Sequence, residues 1–394
     1  MNKHILDKAV QEYISKHLTE DVHKMAMAKS PFKEVDAREL AGQIAAKNKS
    51  FKKLPSWYRQ EGIYYPPVLS VEQCSSETTA AYKAGLAVGD NLIDLTGGFG
   101  VDSCYFARVL KTVTHCEINT ELSEIAAHNA QVLGLTNIQF LAIDGIAFLK
   151  TSGKPYDSIY IDPARRSTAG KVFMLKDCTP NVVEHLDLLL SCAQRIIVKT
   201  APLLDLTAGL KELKNVAEIH IVSLRNELKE LLWVMEKKAT PPVKIVCRML
   251  NGPHKGFSFY RGDEESSHAQ LLAGNPSGYL YEPDVALLKS GAFNLIAQAY
   301  GLKKLDTQTQ LYTCELVNDR FPGRIFKINR CISPGELKKE KQLYGNVIVR
   351  NYRDKAENLV KKYKIKADNE QFLIFTRSKS EGYVVIDASI VQHY

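Results

Sequence analysis

The sequence predicts an α/β protein centred on a doubly wound, Rossmann-like domain, with a helical region before it and a smaller α+β module after it. Three observations carry this expectation. Over 88–235, short apolar runs alternate with amphipathic segments, the pattern of βαβ units feeding a parallel sheet. One of those runs ends in an acid and a glycine-rich turn, NLIDLTGGFGVDS over 91–103. Finally, the whole formal charge excess of +8 resides in residues 320–394, which hold sixteen Lys and Arg against eight Asp and Glu. A basic end on a neutral body suits a polyanionic partner, nucleic acid above all, or else a solvated lysine-rich surface.

Size and composition set the frame. A chain of 394 residues exceeds what one hydrophobic core usually supports, so several domains are expected. Hydrophobic residues at 45% and charged residues at 24% describe an ordinary globular protein rather than a disordered one. The opening MNKHILDKAVQEYISKHLTED lacks the apolar run of a secretory signal, and no apolar run approaches membrane-spanning length. Eight cysteines without a CxxC pair are expected to be reduced and metal-free, which points to the cytoplasm.

Residues 3 to about 50 show helical spacing: Ile5, Val10 and Ile14, then Val22, Met25 and Met27, then Leu40, Ile44 and Ala45. The stretch Leu54 to Pro67, with Trp57, Tyr58, Tyr64 and Tyr65 between prolines, reads as an ordered connector without regular structure. In VEQCSSETTAAYKA, Ser75, Ser76 and Thr79 are placed to cap a helix beginning near Glu77, or else to contribute hydroxyl contacts at the border of a ligand pocket. Strands follow at 91–95, 112–117, 138–142, 158–161 and 195–199, with helices near 102–110, 121–134 and 181–191. Segments 217–223 and 230–235 form a hairpin across a short polar turn, and Pro241 and Pro242 end the unit. Beyond lie a strand at 243–250, a Gly- and Ser-containing region to about 278, and an amphipathic segment at 284–300. The last part reads strand 325–331, helix 335–344, strand 346–350, helix 355–363, strand 371–376 and strand 383–387. The expected domains are thus 1–70, 71–240, an α+β linker domain at 241–324 for which a ferredoxin-like arrangement is one option, and 325–394.

Ligands of doubly wound sheets sit beyond the carboxyl ends of the strands, and glycines let backbone amides approach them. Asp94, Thr96, Gly97, Gly98 and Gly100 are therefore candidate ligand-binding residues. Glu117, with Ile118 after it, ends the second strand where a carboxylate accepts hydrogen bonds from both ribose hydroxyls. Asp144, with Gly145, follows the third strand, where it would accept from an adenine amino group or simply cap a helix. A dinucleotide enzyme is the rival reading, although the loop lacks the full GxGxxG spacing. The fourth strand ends in YIDPARRS, which puts Asp162 where chemistry occurs in such sheets.

Together, DLTGGFGVDS, CEIN, DPARRS and VKTAPLLD resemble a bacterial family of class I methyltransferases whose C-terminal part is called THUMP-like. The motifs span roughly residues 72–210 and the THUMP-like resemblance about 325–394. The resemblance implies five parallel strands closed by the hairpin, S-adenosylmethionine on the residues above with Asp162 also beside it, and an RNA substrate, tRNA or rRNA. No metal and no membrane are implied. It makes Asp162, Arg165 and Lys199 the catalytic candidates, with Arg165, Arg166, Lys338 and Lys339 as candidate substrate contacts. DPARR departs from the DPPR of several RNA base methyltransferases, having alanine at the second proline. The fifth strand, IIVKTAP, offers no cysteine for covalent attack on a pyrimidine, and Cys178 is the one cysteine soon after DPARR. No aromatic follows Asp162 to stack on a flipped base. Direct transfer is what remains, with small molecules or proteins as alternative substrates and a non-catalytic RNA-binding protein as the alternative class.

Overall fold

The computed structural model describes residues 1–165, 174–252 and 256–393, and of Arg165 the backbone alone. The chain forms two compact units, Met1–Val216 with Leu232–Ala239, and Ala217–Leu231 with Thr240–Tyr394. Among the described residues, no helix is long and apolar enough to cross a membrane.

The first unit opens with helices Lys8–Lys16, Val22–Met27, Ala37–Lys53, Pro55–Arg59, Val68–Gln73 and Glu77–Ala84. Their starts are marked in sequence by residues that satisfy the orphan amides of the first turn. Asp21 and Ser76 accept from their own helices, and Asp36 with Glu39 forms a capping box. The connector after Leu54 departs from expectation, because Pro55 stands at the first helical position and seeds a short helix that turns Trp57 inward. Gln43 binds the Tyr65 backbone from both sides, its amide donating at 2.6 Å and its oxygen accepting at 3.0 Å. Ile5, Val10, Ile14, Leu40, Ile44 and Trp57 join Leu92, Phe99, Phe106 and Tyr160 in one core, so the helical region and the sheet of this unit are packed as a single body.

Among the described residues, the strands lying wholly in this unit are β1 Asn91–Asp94, β2 Thr112–Cys116, β3 Ile138–Leu141, β4 Tyr156–Ile161, β5 Ala164–Arg165, β6 Cys178–Thr179 and β7 Ala193–Thr200. The order β7-β4-β1-β2-β3 is parallel throughout, while β5 and β6 make a separate antiparallel pair. Residues on both faces of β1, β4 and β7 are buried, which is why these strands read as apolar runs rather than as alternation, whereas the edge strand β3 is only half-buried. Between β1 and β4 the order reverses direction, and this switch point opens a crevice at the carboxyl ends.

In the second unit the expected hairpin is present as β8 Val216–Leu224 and β9 Glu227–Glu236, the latter passing back into the first unit at Leu232. Arg225 and Asn226 both have positive φ, 54° and 57°, the backbone of a two-residue primed turn. β10 Lys244–Met249 runs parallel to β8, and β11 Gly256–Tyr260 is antiparallel to β10. A seven-stranded sheet follows, comprising β12 Tyr279–Pro283, β13 Lys303–Asp306, β14 Thr309–Cys314, β15 Gly323–Ile332, β16 Asn346–Val349, β17 Gln371–Ser378 and β18 Gly382–Gln392. Its order is β13-β14-β12-β15-β18-β17-β16.

Two expectations need correction here. The amphipathic segment at 284–300 is two helices, Val285–Ser290 and Phe293–Tyr300, because Gly291 takes a left-handed conformation between them. The helix expected at 335–344 is only Pro334–Leu337, so Lys338 is its C-cap and Lys339 lies past its end. Leu337 is the last apolar anchor there; the next five residues, KKEKQ, offer no face to bury.

Candidate functional site

The candidate site is built from the loops that leave β1, β2, β3, β4 and β7. Asp94 closes β1 and is buried. Its Oδ1 accepts from the Thr96 amide at 3.0 Å and its Oδ2 from the Ser103 hydroxyl at 2.6 Å. Burial pushes this carboxyl up to about 7, against the opposing effect of those two hydrogen bonds. Ser103 also lies 3.1 Å from Nδ1 of His115, a ring on β2 that burial holds neutral, its pKa driven down to about 3. With Asp94 ionised, Ser103 gives its single proton to the carboxylate and accepts from Nδ1–H. His115 Nε2 then faces the interior without a hydrogen-bond partner among the described residues.

That ring shapes the glycine loop. A Cβ on Gly97 would fall 2.0 Å from His115 Cε1, so the residue has to be glycine for the loop to lie this low. The Gly97 amide donates to the Cys116 carbonyl at 2.8 Å, tying the loop to the end of β2. Gly98 donates to Glu117 Oε2 at 2.8 Å, and Gly100, at φ +84°, is the N-cap of the helix Val101–Ala107. Glu117 is aimed by backbone on both oxygens, since Oε1 accepts from the Asn119 amide at 2.8 Å. Ile118 next to it is 73% exposed, and Ile143 after β3 is 39% exposed. Asp144 caps the helix Gly145–Ser152 through the Ala147 amide at 2.9 Å, and Gly145 approaches the Leu95 carbonyl too closely for any Cβ.

Asp162 follows β4. Its amide donates to Thr96 Oγ1 at 2.7 Å, and the Leu95 amide donates to the Tyr160 carbonyl at 3.0 Å, so the loops after β1 and β4 are joined at two points. Lys199 on β7 donates to Asp162 Oδ2 and forms an ion pair with it. Arg165 is described through its backbone pairing with Cys178, and Arg166 lies outside the described residues. Cys178 itself is buried on β6. Lys338 and Lys339 are exposed in the second unit.

A polar cluster beside Asp162 was not anticipated from the sequence. Lys83 is 0% exposed, with its ammonium 2.8 Å from Ser75 Oγ and 3.3 Å from Asp102 Oδ1. Ser75 Oγ and Tyr160 Oη each donate to Asp102 Oδ2 at 2.8 Å. Burial alone would raise the Asp102 carboxyl, yet Lys83 first, then Lys199, Ser75 and Tyr160, hold it below the ordinary carboxylate range. One signal was available. Thr79, Ala80, Lys83 and Ala84 share the inward face of their helix, and a lysine there has to find an anion.

The groups on the loops after β2 and β3 suit a nucleoside: Glu117 is oriented by two backbone amides where its carboxylate can accept from hydroxyls, and Ile118 and Ile143 offer apolar surface to a flat base, while Asp94 is buried with its oxygens engaged by Thr96 and Ser103.

Comparison with known proteins agrees with this fold. The structure matches, over 99% of both chains and with a TM-score of 0.85, the crystal structure of a protein from Porphyromonas gingivalis W83 described as a methyltransferase, at 28% sequence identity. An uncharacterized RNA methyltransferase of Mycoplasma mobile is 27% identical over 179 residues, covering 41% of this chain and 49% of that protein. An uncharacterized S-adenosylmethionine-dependent methyltransferase of Mycobacterium tuberculosis is 23% identical over 254 residues, covering 64% of this chain and 65% of its own length. The chain thus spans about half of the first of these curated relatives and just under two thirds of the second. Residues 279–322 match the family model of a ferredoxin-like domain and residues 323–388 that of a THUMP domain-like region. The chain is therefore similar to proteins described as S-adenosylmethionine-dependent methyltransferases, with the doubly wound α/β fold of class I methyltransferases followed by regions that match ferredoxin-like and THUMP domain-like models.

Proposed function

We propose that the protein is a cytoplasmic S-adenosylmethionine-dependent methyltransferase that modifies RNA, tRNA or rRNA, by direct transfer. The observation that carries the proposal is Asp162, its backbone amide tied to Thr96 Oγ1 and its carboxylate paired with Lys199, beside the glycine loop at the switch point of the sheet. Asp94, Thr96, Gly97, Gly98, Gly100, Glu117, Ile118, Asp144 and Gly145 would hold the cofactor, with Asp162 at its reactive end. When bound, the cofactor supplies a methyl group activated by a sulfonium. The work left to the chain is orientation and proton handling. Asp162 accepts a hydrogen bond from the nucleophilic N–H or O–H of the RNA, and takes its proton as the new bond to carbon forms and the bond to sulfur breaks. Lys199 keeps one carboxylate oxygen turned toward its own strand, which aims the other at the crevice. Arg165 and Arg166, which follow Asp162 in the sequence, would hold a substrate phosphate.

RNA is favoured by the relative named for it and by the THUMP domain-like region. In the second unit, exposed Lys338 and Lys339 would contact phosphates without reading sequence. Tyr344 there is exposed with Lys366 Nζ 5.8 Å from its ring centre, a surface on which a base can stack.

The test uses radiolabelled S-adenosylmethionine and total RNA from a strain lacking the gene. The wild-type protein should label RNA, and Asp162→Ala should label it about 100-fold more slowly or worse while still binding S-adenosylhomocysteine. Cofactor binding without any label in RNA would refute RNA as the substrate and direct the search to small molecules, proteins or a non-catalytic role.

A further inference from the structure

The parallel order β7-β4-β1-β2-β3 also fixes the order of the loops across the mouth of the sheet. The loops after β1, β2 and β3 carry the candidate cofactor residues. The loop after β4 carries Asp162, and the loop after β7 lies beside it, since Ile161 pairs with Val198 and Lys199 reaches Asp162. The substrate half of the mouth is therefore bounded by the loops after β4 and β7.

The loop after β7, Ala201 to Asp205, is anchored on both sides. Thr200 Oγ1 accepts from Trp233 Nε1 at 3.0 Å, and the Leu204 amide closes a turn onto the Ala201 carbonyl at 3.3 Å. Leu204 is completely buried, while Asp205 caps the helix Leu206–Glu212 through the Ala208 amide at 2.9 Å. That helix is seated on Trp233, whose ring would clash with any Cβ on Gly209. Between these anchors, Leu203 is 73% exposed. An isolated exposed leucine is ordinary on a protein surface, so its place decides whether it matters. Here the turn on each side is pinned, and among the described residues Leu203 is the one large apolar side chain exposed on either substrate-side loop. Its place matters because Asp162-Pro163-Ala164 supplies no aromatic on which a base could rest.

We infer that Leu203 is the apolar platform of the substrate site, packing against the flat face of a heteroaromatic base whose nucleophilic group meets Asp162. Ile118 and Ile143 serve the cofactor half of the same mouth, so two apolar surfaces flank the transfer point, one for each reactant. This rests on the methyl-transfer reading above and adds which residue selects a flat, apolar-faced substrate.

The experiment compares full-length wild type, Leu203→Asp, Leu203→Ala and Leu203→Phe for methyl transfer to RNA and for binding of S-adenosylhomocysteine. Leu203 is exposed, so none of the three changes disturbs the core. Leu203→Asp should raise KM for RNA by about 10-fold or more, equivalent to about 1.4 kcal/mol, with cofactor affinity unchanged. Leu203→Ala should fall between, and Leu203→Phe should match or improve on wild type, because a ring restores the flat contact. If wild type labels RNA and Leu203→Asp has the same KM, the platform is wrong and the methyl-transfer reading stands. If Leu203→Asp loses cofactor binding as well, the residue serves the loop's structure and the inference also falls. If wild type labels no RNA, both readings fail together, which the wild-type arm alone reveals.

Discussion

Gly97→Ala is the perturbation whose size follows most directly from the geometry. The added methyl would stand 2.0 Å from His115 Cε1, whereas ordinary contact begins near 3.4 Å, so loop and ring must part by about 1.4 Å. The ring has little room to give. It is completely buried, with the Phe140 ring centre 4.9 Å away and the Ser103 hydroxyl 3.1 Å from Nδ1. Overpacking of this kind costs about 1–3 kcal/mol, and the upper end applies where the neighbour is enclosed. For a unit of this size about 3 kcal/mol corresponds to a fall in Tm of roughly 6–12 °C. The loop that rises also carries Gly98 away from Glu117, so S-adenosylhomocysteine affinity should drop alongside stability. Thermal and denaturant unfolding with a parallel ligand titration measure both. His115→Ala removes the obstacle, and the same Gly97→Ala change should then cost less than about 1 kcal/mol. An equal cost in both backgrounds would show that the ring is not what makes Gly97 necessary.

Two further outcomes follow from the buried charges. Asp94 is raised from 3.8 to about 7, so folding takes up a proton between those values and its contribution to stability is lost as pH rises through that window, up to about 4 kcal/mol. Relative to Asp94→Asn, ligand-free wild type should therefore be progressively less stable from pH 4 to 7 in denaturant unfolding, and a flat difference would exclude a buried, protonatable Asp94. Affinity for a ligand amine runs the other way, with S-adenosylhomocysteine binding strengthening toward pH 7 in calorimetry as the carboxylate forms, and doing so only where Asp94 is present. Lys83→Met strands the Asp102 carboxylate and should cost about 3–5 kcal/mol in denaturant unfolding, much of it recovered by adding Asp102→Asn. No recovery would mean that Lys83 acts through packing and not as the counter-charge.

Legibility differed by kind of feature. The central strands β1, β4 and β7 are readable because burial on both faces makes each a compact apolar run between loops, and the glycine loop announces itself by composition. β13 and β14 are not legible because the strand and turn residues KKLDTQTQ look solvated, although Lys304 and Thr309 are buried. The helix at 334–337 reads as longer in sequence since lysines are good helix formers, and the absence of anything to bury ends it. Asp94, Glu117, Asp162 and Lys199 were legible because each stands at a strand end. The Lys83–Asp102 pair was not, as it joins two helices whose mutual approach no local pattern encodes.

One packing contact bears on how the protein can be divided. Phe99, in the middle of the glycine loop, rests its ring 5.0 Å from that of Trp57. A fragment trimmed to begin at residue 71 would retain every signature motif and yet lose the floor beneath them. The stretch that the motifs mark, 72–210, is therefore smaller than the body that keeps the loop in shape, and the leading helices belong with the candidate site rather than with its packaging.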